Sequence, residues 1–171
     1  LIGQIFSGKL QGPVKGDAQY KVLTAALNKI TASAAEAAAA KPLNAVYVTD
    51  SFGHVATGDT LPHHLIVAAG GINAAGSGSG WSWDIASLTT SLDVIFCPES
   101  LVPQVKTMAR FANTNAVKNN RVIGIPASAM ERQGLRMADA VTAMARAMYP
   151  QAFNDTSGSG STSSVGTSSI S

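Results

Sequence analysis

Two apolar stretches, LDVIFCP at Leu92–Pro98 and RVIGIP at Arg121–Pro126, decide the fold class of this chain. Each is a short, nearly continuous apolar run that ends at a proline, a residue that central strands avoid. A segment with helical periodicity follows each run. Strands that are apolar on both faces and alternate with helices are typical of a parallel sheet covered on both sides. The sequence therefore predicts an α/β domain with a mainly parallel sheet flanked by helices.

The first half of the chain adds a long helix and a strand to this pattern. Asp17 is a residue type that caps helix N-termini, and Pro42 stops the helix after an alanine-rich stretch. The segment from Ala45 to Thr49 predicts a short strand. The helix between the cap and the proline carries one apolar stripe, formed by Tyr20, Leu23, Leu27, Ile30 and Ala34.

The second half predicts three further helices. Ser82 caps a short helix with Ile85 and Leu88, and Ser100 caps the next helix. In that second helix we expect Val105, Met108, Ala109 and Ala112 to face inward and Lys106, Arg110 and Asn113 to face water. In the last helix, residues 135–148, we expect Leu135, Ala138, Val141, Ala145 and Met148 to be buried and Arg136, Asp139 and Arg146 to be exposed.

Composition divides the chain into three parts. Residues 1–16 are rich in glycine and short apolar groups and predict an extended arm or edge strand. Residues 17–155 form the α/β domain. Residues 156–171 are almost wholly Ser, Thr and Gly, which bury too little apolar surface to offset the entropy of ordering, so a flexible tail or linker is expected.

Charge and cysteine content reduce the number of functions that fit the sequence. Only 13% of the residues are charged, against a usual figure of about 25%, and the net charge is +2. The basic residues are scattered, so no nucleic-acid partner is predicted. Cys97 lies in an apolar run and is interpreted as a buried small hydrophobe. No apolar stretch reaches the roughly 18 residues of a membrane helix and no signal peptide is visible, so we expect a soluble protein that inserts in no membrane.

One loop holds the residue types of a nucleophilic triad. Asp50, Ser51 and His54 follow a predicted strand, where open α/β sheets place ligands. Three residues in one short loop rarely reach the geometry in which the base lies between the nucleophile and the orienting acid. An enzyme would bring Asp50 and His54 together in a pocket, whereas a structural domain would leave them apart.

Metal binding and paired carboxylates have weaker support. His63 and His64 are adjacent, so an extended segment would point them to opposite faces. Together with His54, Asp50 and Asp59 they match no recognised ligand spacing. Glu99 and Glu131 each follow a strand, but their place at helix starts is expected from the helix dipole alone.

The glycine-rich segment Gly70–Gly80 resembles a phosphate loop only in composition. It lacks the Lys-Ser/Thr ending of the P-loop and the order of the dinucleotide fingerprint, and the nucleophile elbow is missing. A flexible surface loop is the better interpretation. We expect one or both of Trp81 and Trp83 to pack down on the sheet, whereas an exposed pair would indicate a partner surface. We therefore assign no catalytic, cofactor-binding or metal-binding residue, expect no cofactor, and predict that the chain is not an enzyme.

The order of elements from Val67 to Met148 resembles the central domain of phage tail sheath proteins. In that family a Gly-Gly turn with a further glycine precedes a short helix, and two strand–proline–helix units follow. Here the corresponding parts are Gly70-Gly71 with Gly76, the helix around Ile85 to Leu88, Leu92–Pro98, the helix from Leu101 to Asn113, Arg121–Pro126 and the helix from Leu135.

The resemblance implies a structural subunit of a contractile tail. Identical subunits would assemble in rings around an inner tail tube protein and drive its ejection by contraction, a change between two packings. The location would be the virion, assembled in the bacterial host cytoplasm. Two alternatives stay open: an α/β hydrolase-type enzyme that uses Asp50, Ser51 and His54, and a ligand- or nucleotide-binding module that uses the Gly70–Gly80 loop.

Overall fold

The computed structural model describes residues 12–81, 83–84, 91–131, 134 and 136–157. Six strands and six α-helices are described, and short 3-10 helices cover Glu99–Leu101 and Pro150–Ser157. In chain order the elements are α1 (Gly12–Ala40), β1 (Asn44–Tyr47), β2 (His54–Val55), α2 (Leu61–Ala68), β3 (Ile72–Asn73), β4 (Trp83–Asp84), β5 (Val94–Pro98), α3 (Val102–Thr107), α4 (Asn115–Lys118), β6 (Val122–Ile125), α5 (Ala127–Met130) and α6 (Met137–Met148).

The main sheet has the strand order β3-β1-β5-β6, and every described pair in it is parallel. Val46 lies opposite Ile95, and Ile95 lies opposite Val122. The predicted α/β fold with a parallel sheet flanked by helices is therefore confirmed.

Alternate residues of the central strand β5 belong to two hydrophobic cores, one on each face of the sheet. Val94 and Phe96 pack with residues of α1, α2, α5 and α6. Ile95 and Cys97 pack with residues of α3 and α4 and with Phe111. All four of these β5 side chains are fully buried. Helices on both faces explain why the strand sequence is continuously apolar.

A second, two-stranded antiparallel sheet corrects the start of one predicted helix. Val55 of β2 pairs with Trp83 of β4, where the sequence predicted a helix capped by Ser82. A bridge from Val48 to Val55 attaches this small sheet to the end of β1. Ile85 and Leu88 lie outside the described residues.

The boundaries of α1 differ from those predicted. The helix ends at Ala40, before Pro42, as expected. Its start lies at Gly12, so residues 12–16 are helical and the prediction of an extended arm is wrong for them. Pro13 fits here because the first helical turn needs no backbone N–H partner. Residues 1–11 lie outside the description, as do residues 158–171 of the predicted tail.

The second-half helices agree with the sequence in part. In α6, Val141, Ala145 and Met148 are buried as predicted. The helix after β5 ends at Thr107 rather than near Asn113, because Met108 adopts an extended conformation. In consequence Ala109 and Ala112 are exposed, and Phe111 fills the core in their place.

Candidate functional site

The carboxyl ends of the parallel strands meet along one edge of the main sheet. In open α/β sheets this edge is where ligands bind. The loop after β1 contributes residues 48–53, the loop after β3 contributes residues 74–81, and Glu99 and Pro126 follow β5 and β6. We call this the carboxyl edge.

Asp50 organises the loop after β1. Its Oδ1 accepts hydrogen bonds from the backbone N–H groups of Phe52 (2.9 Å) and His54 (3.2 Å). Its Oδ2 lies 2.7 Å from Nδ1 of His54. Burial opposes ionisation, but the hydrogen bonds from the His54 ring and from the two N–H groups outweigh it and lower the pKa of Asp50. The carboxylate thus remains charged near neutral pH.

This pairing fixes the chemistry of His54. An ionised carboxylate only accepts hydrogen bonds, so Nδ1 carries a proton, and in the neutral ring Nε2 keeps its lone pair. No residue in the described part of the chain bonds to Nε2, and about a third of the side chain is exposed. A histidine that donates one ring N–H to a carboxylate is the usual arrangement of a metal-ligating histidine.

The residue types of the triad converge only in part. Asp50 and His54 are paired, but no hydrogen bond joins the Ser51 hydroxyl to His54; in the described bond of Ser51, its carbonyl accepts from Nε2 of Gln104 at 3.2 Å. The pair lies on an open edge of the sheet. A nucleophile, a base and an orienting acid are therefore not aligned as catalysis by a triad requires.

The glycine-rich segment is fastened by Asp59. The Asp59 carboxylate accepts hydrogen bonds from the Gly80 N–H (2.7 Å), the Ser79 hydroxyl (2.8 Å) and the Thr57 hydroxyl (2.8 Å). These bonds lower the pKa of Asp59 to about 2. The backbone of Gly58 also lies against the carbonyl of Gly76. The segment predicted as a flexible surface loop thus has a defined set of contacts.

Exposed aromatic side chains stand beside His54. The rings of Phe52 and His54 are 6.2 Å apart, and Phe52 is 72% exposed. Trp81 is 41% exposed, so the prediction that at least one of the two tryptophans packs down on the sheet now depends on Trp83. The Thr49 hydroxyl donates to the backbone carbonyls of both His54 and Trp81, which brings the backbones of these two residues together beside Thr49. The side chain of Trp83 lies outside the described residues.

The other predicted candidates do not join this group. Among the described residues no three His, Cys, Asp or Glu side chains are placed to hold a metal ion. His63 and His64 contact each other edge-on at 5.2 Å on α2. Glu99 and Glu131 form no described bond to each other. Burial, reinforced by the neighbouring charge of Glu131, raises the pKa of Tyr47.

A recess of about 430 Å³ lies at the opposite, amino edge of the sheet, between the ends of α1 and α6. Arg121 lines it and donates to the carbonyls of Ala147 and Met148, both at 2.9 Å. Its positive charge is thereby used to cap the C-terminus of α6. No described helix is long and apolar enough to cross a membrane.

The sequence matches no protein-family model and no curated protein. The fold is similar to that of several solved binding proteins. A periplasmic heme-binding protein from Pseudomonas aeruginosa has a TM-score of 0.72 at 20% identity, with 83% of this chain and 56% of that chain covered. A periplasmic heme-binding protein from Roseiflexus sp. RS-1 has a TM-score of 0.58 at 24% identity, with coverage of 77% and 56%. A periplasmic molybdate-binding protein from Haemophilus influenzae has a TM-score of 0.69 at 21% identity, with coverage of 87% and 47%.

These similarities overturn the phage-tail interpretation. The fold is that of periplasmic binding proteins, so the resemblance to tail sheath proteins is wrong. The predicted subunit rings, inner tube partner, contractile function and virion location are wrong with it. The predicted strand–proline–helix units are present, but such units belong to many parallel α/β domains. The chain spans about half the length of the solved structures that it resembles.

Proposed function

We propose that this chain is one lobe of a solute-binding protein that captures a small molecule in the bacterial periplasm and delivers it to an ABC transporter. The similarity of fold over 77% to 87% of the chain supports this proposal. Periplasmic binding proteins close two domains around their ligand by a hinge. A chain about half as long as its structural neighbours fits one such domain. That the chain is not an enzyme remains a prediction, which the binding proteins above favour.

The observation that carries the proposal is the group of exposed rings at the carboxyl edge. Phe52, whose ring lies beside that of His54 in the Asp50–His54 pair, and Trp81 both present apolar surface to solvent. Ligand sites are lined mainly by apolar and aromatic side chains with a few oriented polar groups. One lobe alone would supply one wall of such a site. The alternative of a ligand-binding module is therefore kept, with the loop after β1 added to the Gly70–Gly80 loop.

The chemistry of this wall favours an iron porphyrin as the ligand. Aromatic side chains can stack on a flat apolar ring system. His54 has a free Nε2 that can ligate iron, and Asp50 would hold the imidazole in the required tautomer. An oxyanion such as molybdate would need cationic or N–H donors. Arg110, whose side chain lies beside Gly53, is instead paired with Asp84 at 3.1 Å.

Titration of hemin into the chain, followed in the Soret absorption band, tests the proposal. We expect saturable binding that shifts the band, and loss of the shift in His54→Ala. Asp50→Asn should weaken binding about 10–100-fold, the usual effect of removing a group that supports a metal ligand. His64→Ala is the matched control, because His64 is exposed on α2 and should bind as the parent does. Equal hemin affinity in His54→Ala and the parent would contradict the assignment of His54.

A further inference from the structure

His63 lies beneath the glycine-rich segment without a partner for its buried nitrogen. It occupies the third position of α2, and its Nδ1 is buried with no hydrogen bond among the described residues. A β-carbon at Gly76 would stand 3.6 Å from Cε1 and 3.7 Å from Nδ1 of His63. The imidazole thus supports the backbone of the segment Ala74–Gly80 from below.

The surroundings of His63 disfavour a positive charge. The N-terminal turn of α2 carries the positive end of the helix dipole, and the neighbouring imidazole of His64 adds to it. Burial lowers the pKa of His63, and the neighbouring His64 lowers it further. Residues 72–81 contain no ionisable side chain, and the nearby carboxylate of Asp59 is already engaged by Thr57, Ser79 and Gly80.

The other elements packed against α2 supply no counter-charge. Their ionisable groups with described side chains are Asp17, Tyr20, Lys21, Lys29 and Glu36 on α1, Tyr47 on β1, and Asp139 and Arg146 on α6. None of them forms a described hydrogen bond or ion pair with His63. Protonation of Nδ1 would therefore bury a charged N–H group without an acceptor, which costs more than a buried neutral acceptor.

We propose that His63 is a proton-operated release for the glycine-rich segment. When His63 is neutral, the segment Ala74–Gly80 packs on the ring; when His63 is protonated, the segment moves off so that water reaches Nδ1. Trp81 follows Ser79 and Gly80, which Asp59 holds, so the motion around Gly76 changes the surroundings of one of the exposed rings at the carboxyl edge. The effect on ligand affinity rests on the proposed function: the apparent Kd doubles at the midpoint and rises about tenfold one pH unit below it.

Tryptophan fluorescence of the ligand-free chain tests the release directly. The chain has two tryptophans, Trp81 and Trp83, and both follow the segment. Between pH 7.5 and 4.5 we expect a one-proton change in emission with its midpoint below the ordinary histidine value of about 6.5. Far-ultraviolet circular dichroism should stay constant over the transition. His63→Gln should abolish the change, whereas the control His64→Gln should keep it.

An NMR titration of the parent chain avoids any dependence on variant folding. The His63 ring and the amides of Gly76, Gly78 and Gly80 should titrate with one midpoint. Different midpoints, no emission change above pH 4.5, or a change that persists in His63→Gln would overturn the proposal. Because no hemin is present, these outcomes are independent of the proposed function. If the segment is released at low pH but the chain binds no hemin, only the proposed function is contradicted.

Discussion

Gly58→Ala tests whether the turn at residues 57–59 packs as closely on the glycine-rich segment as the structure indicates. A β-carbon at residue 58 would overlap the carbonyl oxygen of Gly76 and lie 3.0 Å from its carbonyl carbon, whereas ordinary van der Waals contact begins at 3.4 Å. Both groups belong to the backbone, so no side-chain rotation relieves the overlap. We expect a loss of about 3 kcal/mol in the free energy of unfolding, the upper end of the usual cost of overpacking.

Thermal and urea unfolding, followed by circular dichroism, measure this loss. For a chain of this length, about 3 kcal/mol lowers the Tm by roughly 6–12 °C. Gly134→Ala is the matched control, because an added β-carbon there meets no atom of the described residues within 4 Å, and its stability should change by no more than about 0.5 kcal/mol. If Gly58→Ala were as stable as the control, the close approach of Gly58 and Gly76 would be refuted.

Three further predictions concern the core, the loop and the cysteine. Phe111→Ala should lose about 3–5 kcal/mol of stability in urea unfolding, because Phe111 is fully buried, whereas Phe52→Ala, at an exposed site, should lose about 0.5 kcal/mol or less. Asp59 has a pKa of about 2 in the folded chain against an ordinary 3.8. Its contribution to stability is therefore complete above about pH 4 and is lost as the pH falls through about 2. The stability of Asp59→Asn should lack this part of the pH dependence. If the parent and Asp59→Asn showed identical profiles of stability against pH, the Asp59 contacts would be contradicted. Burial raises the pKa of Cys97 to about 11, so a thiol reagent at pH 8 should react slowly with the folded chain and rapidly in urea, and equal rates would contradict that burial.

The main elements were readable from the sequence because they follow from local patterns. The runs at Leu92–Pro98 and Arg121–Pro126 became the central strands, and the apolar stripe of α1 lies against the core from Leu27 onward. A strand that is buried on both faces has a continuous run of apolar residues, which can be recognised in the sequence. The early end of α3 was not predictable, because the long-range packing of Phe111 decided it.

The sequence shows the residue types of the candidate site but not how they are arranged in space. Asp50 and His54 were recognised as neighbours, and their spacing permits the pairing seen in the loop. The exposure of Trp81 depends on the pairing of β4 with β2, a contact between distant segments that no local pattern reveals. The approach of Gly58 to Gly76 is of the same kind. The incorrect phage-tail interpretation arose because element order alone does not determine function.

The position of bound hemin on the chain tests the central claim most directly. The paramagnetic iron broadens the NMR signals of amides close to it, so a spectrum of the labelled chain with substoichiometric hemin locates the site. The account predicts broadening at Thr49–His54 and at Ser79–Trp81, along the carboxyl edge. Broadening confined to the amino-edge recess around Leu43, Arg121 and Met148 would contradict it.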